Sequence, residues 1–503
     1  MRFKIGIIIF VVLLLLIIAT YRNYGVSWDE TSYRNYGLYF IQTINNFFSP
    51  KIIVDNSLRP SRLHLMGHGV VFTILECAAA NFIGGCSFNN LHLVKASLQI
   101  ITFIFVYLFS AKFIFKKKPW LALSSFLLLL IFPRYFGEIF DNMQDTLAVL
   151  LTTVIIYFSY LFLKEKKVRT LKFCIFLGII FGVAVGERII LIYLPFLFMT
   201  SYLILYLSKK ELINWKNYLI QISTILAAMF LVWYLTSPYL LLHPFRGIFD
   251  LIVAGSRYPW PLTVLFEGKN ILATKLPYYY IYKWTLITTP PLSLLFFSIG
   301  SFFLITSFSA TNFFLFFSFF LPLILILIFN PVVYDGWRHF LFLTAPFVLI
   351  ASFGFYYLLS LKNKLIKSLA IILFILNIIF TGYKMINLHP YEYLYFNAFV
   401  GGLASAYGKY ETDYAGRTFK EAIEWLKKNE LKETNKAYNI FVCGNPDSST
   451  YYFTPNMKQT KDLRKADYFV CYTRFGEYKL IDDKKTIFTV VREKTPLNFV
   501  KKL

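Results

Sequence analysis

Long apolar stretches, broken by short basic or aromatic-polar segments, dominate residues 1–386. A helix needs roughly 20 apolar residues to cross the ~30 Å hydrocarbon layer of a bilayer. Eleven stretches meet or approach that length: residues 4–20, 91–115, 119–135, 146–163, 171–187, 189–207, 219–237, 285–306, 312–330, 340–360 and 368–386. The pattern predicts an α-helical polytopic membrane protein of about eleven spans. A further apolar stretch, residues 63–83, is interrupted by His64, His68 and Glu76 and reads as helix lying on or dipping into the membrane surface.

Basic residues orient these spans. Arg2 and Lys4, Lys116 to Lys118, the cluster from Lys164 to Arg169, Lys209, Lys210 and Lys216, and Lys362, Lys364 and Lys367 all fall at span ends. They land on one side if residues 63–83 do not cross, and the positive-inside rule makes that side the cytoplasm. The N terminus is then cytoplasmic. A first external segment covers about 21–90, a tight external turn 136–145, a longer loop runs to about 284, a short loop covers 331–339, and the C-terminal region lies outside. A crossing by residues 63–83 would be a twelfth span and would place Lys116 to Lys118 outside. The first span resembles a signal peptide, but Ala19-Thr20-Tyr21 is not a small-x-small cleavage site, so it is read as retained.

Beyond residue 387 the pattern changes to a soluble one. Residues 418–429 form an amphipathic helical pattern with Phe419, Ile423 and Leu426 on one face, and short apolar runs at 438–443, 467–472 and 486–491 read as strands. The expected division is a transmembrane domain over residues 1–386 and a small extracytoplasmic α/β domain over 387–503.

Composition agrees: 57% hydrophobic, 20% aromatic and 16% charged residues are far from the globular average. The net charge of +24 raises nucleic acid as a partner, but the cations punctuate apolar runs without forming a basic domain, so none is expected. Cys77, Cys86 and Cys174 read as small apolar residues in or against membrane segments. Cys443 and Cys471 lie on predicted external strands, where a disulfide is chemically open to them. No Cys-x-x-Cys, His-x-x-x-His or Gly-rich phosphate loop occurs. The repeat Tyr-Arg-Asn-Tyr-Gly at 21–25 and 33–37 is too closely spaced for a solenoid unit and carries no assigned function.

Charged residues gather at the external ends of helices: Asp29 and Glu30 beside Trp28; Glu138, Asp141 and Asp145; Glu187 and Arg188; Arg257; and Asp335, Arg338 and His339. A transporter would place ionisable groups near the bilayer midplane, where these spans are apolar. A cleft with carboxylates and cations from separate loops suits displacement of a lipid phosphate from a sugar. One carboxylate takes the acceptor proton while cations stabilise the charge growing on the phosphate. Plainer roles compete: Asp145 as a helix-dipole cap, Arg338 and His339 as interfacial snorkelling residues, Glu187 and Arg188 neutralising each other, and the aromatic run 389–397 as an interfacial belt.

Four runs carry a resemblance: Trp-Asp-Glu at 28–30, Arg-Tyr-Phe-Gly-Glu-Ile-Phe-Asp-Asn-Met-Gln-Asp at 134–145, Tyr-Asp-Gly-Trp-Arg-His-Phe at 334–340, and His-Pro-Tyr-Glu-Tyr-Leu-Tyr-Phe-Asn at 389–397. They resemble bacterial membrane glycosyltransferases of the GT-C superfamily, related to protein O-mannosyltransferases and lipid A aminoarabinose transferases (glycosyltransferase family 39-like). The resemblance implies an inverting enzyme that moves a sugar from a polyprenyl-phosphate donor to a hydroxyl or amine outside the cytoplasmic membrane. It implies a catalytic aspartate in the first external loop, matching Asp29, with Glu30 beside it. A second acidic group in the next loop matches Asp141 or Asp145, with Glu138 a third candidate. Arg257, Arg338, His339 and Arg188 are the candidates for the donor phosphate. The lumenal sugar-recognition domain that protein O-mannosyltransferases carry in a loop is lacking, a departure that counts against a protein acceptor; the sequence itself does not choose the envelope acceptor among lipid, polysaccharide, glycolipid and protein. No cofactor is implied, though a divalent cation is compatible with the carboxylates. A lipid-linked oligosaccharide polymerase or ligase, and a transporter or flippase, are the competing readings.

Overall fold

A computed structural model describes residues 2–49, 53–60, 69–208, 215–256, 260–433, 436–444 and 446–503 of the 503-residue chain. Each of the eleven predicted stretches is helical over most of its length. Among the described residues, seven helices are long and apolar enough to cross a membrane: Phe88–Ile114, Met143–Lys164, Ile189–Leu207, Trp215–Thr236, Ala310–Phe329, Arg338–Ser360 and Lys364–Leu388. Met143–Lys164 and Arg338–Ser360 form the centre, with 83% of their apolar windows buried, whereas Trp215–Thr236 and Lys364–Leu388 bury 22% and turn their apolar surface outward. An apolar face turned outward on this scale is the signature of a lipid-facing helix. Between Pro291–Thr306 and Thr344–Ser360, Gly300 and Gly354 oppose each other. A methyl on Gly300 would run into the carbonyl of Ile350, and one on Gly354 into that of Phe296, so small residues set the close approach of these two backbones.

One predicted span is sharply bent. Residues 285–306 are not one continuous helix: Tyr280–Thr288 and Pro291–Thr306 meet at 117°. Pro290 and Pro291 supply no N–H to continue the ladder. The freed carbonyls are taken up by Asn397, whose Nδ2 donates to Leu286 and Thr289 at 2.7 Å each and whose backbone N–H donates to Ile287 at 2.8 Å.

Between the first helix, Arg2–Thr20, and Phe88–Phe109, helix Glu30–Phe48 packs on Val71–Phe82. The latter has 12 residues, roughly 18 Å of helix, which is short of a bilayer core. Glu76 is buried on it, while His64 and His68 lie outside the described residues. Cys77 and Cys86 are not isolated apolar fillers, as expected from their surroundings. The turn after Phe82 brings their Cα atoms to 5.3 Å and they form a disulfide. Cys174 is free and buried.

The C-terminal segment forms a five-stranded sheet in the order Met457–Thr460, Tyr438–Val442, Tyr468–Tyr472, Thr495–Lys502, Thr486–Arg492, the first three parallel and the last two antiparallel to their neighbours. Helix Phe419–Asn429 covers it with Phe419, Ile423 and Leu426 buried, and Trp425 stacks on Phe488 at 4.5 Å. Cys443 and Cys471 are paired. Two strands escape the sequence pattern: Met457–Thr460 is short and polar, and Thr495–Lys502 carries Pro496 and two lysines. Lys501 is nonetheless buried, its amine bonded to Tyr478, Ile481 and Asp483. A hairpin, Thr263–Phe266 with Lys269–Leu272, also falls outside the predicted elements.

Candidate active site

Asp29 stands at the N-terminus of Glu30–Phe48, but its side chain makes no capping bond. It forms an ion pair with Arg338, at the start of the 3-10 turn Arg338–Leu343. The same guanidinium reaches Asp145 at 3.0 Å and Asp335 at 3.2 Å. Arg188 pairs with Asp145. Arg474, from the C-terminal segment, pairs with Asp335 and lies 3.7 Å from Glu411. Asp29, Asp145 and Asp335 thus interleave with Arg338, Arg188 and Arg474. The Asp29 side chain is 38% exposed against 3% for each of the other two aspartates, so Asp29 is the carboxylate an incoming molecule can reach.

The neutralisation reading does not describe this geometry, and the dipole reading describes part of it, since Asp145 lies in the first turn of Met143–Lys164. Asn142 caps Met143–Lys164, its Oδ1 accepting from the Asp145 N–H at 3.3 Å. The Asp145 carboxylate is left for the two arginines. Glu187 turns away from Arg188 and accepts from the Phe72 N–H at 3.4 Å. Asn142 Nδ2 donates to Asp145 at 2.8 Å and to Glu138 at 2.9 Å, tying the first acidic cluster to a second.

That second cluster surrounds Arg417, which is 1% exposed and lies 2.7 Å from Glu138 and 2.5 Å from Asp141. Tyr414 donates to Glu138 at 2.5 Å. Burial pushes the Glu138 carboxyl up, but Arg417 and the Tyr414 hydrogen bond outweigh it and hold it low. Burial, with Glu138 adding to it, pushes Asp141 up to about 8. The first loop lies flush on this tail: a methyl on Gly25 would run into the Arg417 carbonyl, and the Trp28 N–H donates to Ala415 at 2.9 Å.

Glu30 does not share the cleft of Asp29. It is buried against His92 at 3.0 Å and Lys95 at 2.7 Å, both on Phe88–Phe109. Burial alone would raise its pKa, but His92 and Lys95 hold it low. Lys95 also donates to the Asp141 carbonyl at 3.3 Å, so Glu30 locks the first loop helix to this span. His339 sits beside Arg338 with its ring edge-on to Tyr334 at 4.5 Å. Arg257 lies outside the described residues. Arg417, Arg474, Tyr414, His92 and Lys95 had no sequence signal of a role at the site. Among the described residues, Cys443, Cys471 and Glu477 bring three metal-ligand atoms together, but the two sulfurs are joined to each other.

A small cleft is lined by Trp28, Asp29, Tyr33, Asn142, Met143 and Arg338, and by Glu138, Asp141, Tyr414 and Arg417 of the second cluster. Met143 also lines a larger apolar groove of about 470 Å³ between the first helix, Val71–Phe82 and Phe88–Phe109, walled by Leu14, Ile18, Phe72, Leu75, Leu93 and Leu98. A polar cleft and an apolar groove thus share Met143 as a lining residue.

Residues 72–234 match the family described as dolichyl-phosphate-mannose-protein mannosyltransferase. No curated protein matches the chain. The crystal structure of ArnT from Cupriavidus metallidurans in the apo state is similar over 99% of this chain and 97% of that chain, at 10% identity and a TM-score of 0.50. ArnT from the same organism bound to undecaprenyl phosphate is similar over 98% and 97%, at 11% identity and a TM-score of 0.49. The apo likeness is one of fold, and it runs the length of both chains. The likeness to a mannosyltransferase family is thus confined to residues 72–234, about a third of the chain, while the fold of the whole multi-pass membrane chain is similar to that of apo ArnT.

Proposed function

We propose that the chain transfers one sugar, with inversion, from a polyprenyl-phosphate donor to an acceptor hydroxyl or amine, with Asp29 as general base. The observation that carries this reading is the placement of Asp29: it is the reachable carboxylate of its cluster, it is paired with Arg338, and it lies in a cleft that meets an apolar groove at Met143. The acceptor oxygen or nitrogen attacks the anomeric carbon from the face opposite the phosphate. The new bond forms as the anomeric carbon–phosphate oxygen bond breaks, its electron pair leaving on the phosphate while the acceptor proton passes to Asp29. Arg338 and Arg188 supply fixed positive charge for the leaving phosphate, with His339 and Arg257 the further candidates around it, and the groove takes the prenyl tail. Asp145 positions the two arginines. Glu30, Glu138 and Asp141 are positioning residues that fix the first loop to the span and the tail.

The transfer chemistry is assigned to residues 1–386, with 387–503 closing the site through Arg417 and Arg474. The proposed location is the cytoplasmic membrane, with the N terminus inside and the C-terminal segment outside. Two disulfides, Cys77–Cys86 and Cys443–Cys471, fall on segments this topology exposes to the oxidising side, which supports that orientation. The test is release of labelled sugar from a panel of polyprenyl-phosphate and polyprenyl-diphosphate sugars in vesicles, with membrane extract as acceptor. Turnover of a monophosphate donor is expected; turnover restricted to diphosphate-linked oligosaccharides would replace this reading with a polymerase or ligase.

A further inference from the structure

A second cavity, of about 240 Å³, lies between the hairpin Thr263–Phe266/Lys269–Leu272, residues 407–414 and residues 473–479. Its wall is polar and aromatic, unlike the groove at Met143. Glu411 lines it and is 6% exposed. The Glu411 Oε1 lies 3.7 Å from Arg474, and its Oε2 has no hydrogen-bond partner among the described residues. Burial, with Asp335 adding to it and Arg474 opposing, pushes this carboxyl up to about 8. That shift favours the protonated form, which can both donate and accept a hydrogen bond. A buried carboxyl oxygen with no partner is costly, and a hydroxylated occupant would satisfy it.

Two further features mark the same wall. Phe475 has a left-handed backbone, φ 60° and ψ −4°, a conformation that strains a bulky residue and that clusters at ligand sites. Its ring is held under the Arg474 guanidinium at 4.9 Å and edge-on to Trp28 at 6.5 Å, next to Asp29. Tyr407 and Tyr478 pair through their hydroxyls at 3.1 Å, as do Thr412 and Thr473 at 2.9 Å, giving flat rings and hydroxyls together. Tyr414 lines both this cavity and the cleft of Asp29, so the two spaces share a wall.

Resting on the glycosyltransferase reading above, the geometry points to this cavity as the acceptor site and to a saccharide as its occupant, bound by Glu411 and by the faces of the surrounding aromatic rings. Sugars present hydroxyls for the carboxyl and apolar C–H faces for the rings, the two surfaces this wall offers. A free glycan and the headgroup of a glycolipid share that chemistry.

The test is saturation-transfer NMR on the full chain in nanodiscs, without donor, with maltotriose, with tri-N-acetylglucosamine, and with either trisaccharide carried on a lipid anchor in the disc. Wild type is expected to transfer saturation to at least one saccharide. Asn270→Trp, on the exposed hairpin strand at the cavity edge, and Glu411→Ala are each expected to reduce the signal several-fold; the first alters no buried contact and guards against misfolding of the second. Binding of the free and anchored forms alike identifies a glycan acceptor, and preference for the anchored form a glycolipid; either supports the assignment. No signal from any saccharide, an unchanged signal in Asn270→Trp, or an Asn270→Trp-sensitive signal from a Ser/Thr-rich peptide alone would overturn it. Because no donor is present, a negative result leaves the role of Asp29 standing, and failure of that role would leave this binding unaffected.

Discussion

Asp29 and Arg338, 309 residues apart in the chain, form an ion pair across the mouth of the cleft. The proposed proton acceptor and the proposed phosphate-binding cation are therefore neighbours before any donor arrives. Arg338 already serves three aspartates, so an incoming phosphate competes for it, and Arg188 becomes the second cation the leaving group needs.

Arg188→Ala is expected to raise the apparent donor KM about tenfold or more, the scale of a lost charge-assisted hydrogen bond. Its melting temperature should stay close to wild type, because Asp145 keeps Arg338 at 3.0 Å. Arg338→Ala should lose both activity and stability, since this one guanidinium pairs with Asp29, Asp145 and Asp335 together. An unchanged donor KM in Arg188→Ala would remove that residue from the phosphate site.

Arg417→Met tests the joint between tail and membrane domain. Glu138 and Asp141 are 2% and 0% exposed in their pairs with this arginine, and removing one partner of a buried pair costs roughly 3–5 kcal/mol. Thermal unfolding in detergent should show the loss, with Arg417→Lys recovering part of it. A melting curve equal to wild type would mean that the first loop and tail hold together without this residue.

Much of this site is legible in the sequence, and the illegible parts have physical reasons. Asp29 stands out because a carboxylate just after a span has no packing use there. Glu30 appears equivalent, but Asp29 immediately precedes a helix, and one residue of helix turns about 100°, which sends Glu30 onto His92 and Lys95. Arg417 and Arg474 look like surface charge in a soluble segment; only the docking of that segment, 279 residues beyond Glu138 in the case of Arg417, makes them buried counter-ions. Cys77 and Cys86 read as apolar because their neighbours are. The break of the 285–306 stretch, by contrast, was written in Pro290-Pro291.

Glu411 gives a pH dependence with a defined sign. Its folded pKa is raised from 4.5 to about 8, so the native state holds a proton that the unfolded chain releases above its own pKa. The stability it contributes is fully present below about pH 4.5 and is lost as pH rises toward 8. Glu411→Gln should flatten that part of the decline in melting temperature between those limits. An identical slope in variant and wild type would show that Glu411 is not protonated in the folded protein.

The thiols offer a count. Of five cysteines, Cys77–Cys86 and Cys443–Cys471 are paired and Cys174 is free. Alkylation after denaturation should label one thiol per chain, and five after reduction. Replacing Cys443 and Cys471 by serine should cost roughly 2–4 kcal/mol, read as earlier unfolding or proteolysis of the C-terminal sheet.

The most direct test of the central claim is the initial rate of sugar transfer from a labelled polyprenyl-phosphate donor in vesicles, wild type against Asp29→Asn. The amide keeps the size of the side chain and removes its basicity. The predicted result is a loss of about 10²-fold or more, with membrane insertion and melting temperature preserved. Transfer by Asp29→Asn at close to the wild-type rate would contradict the account.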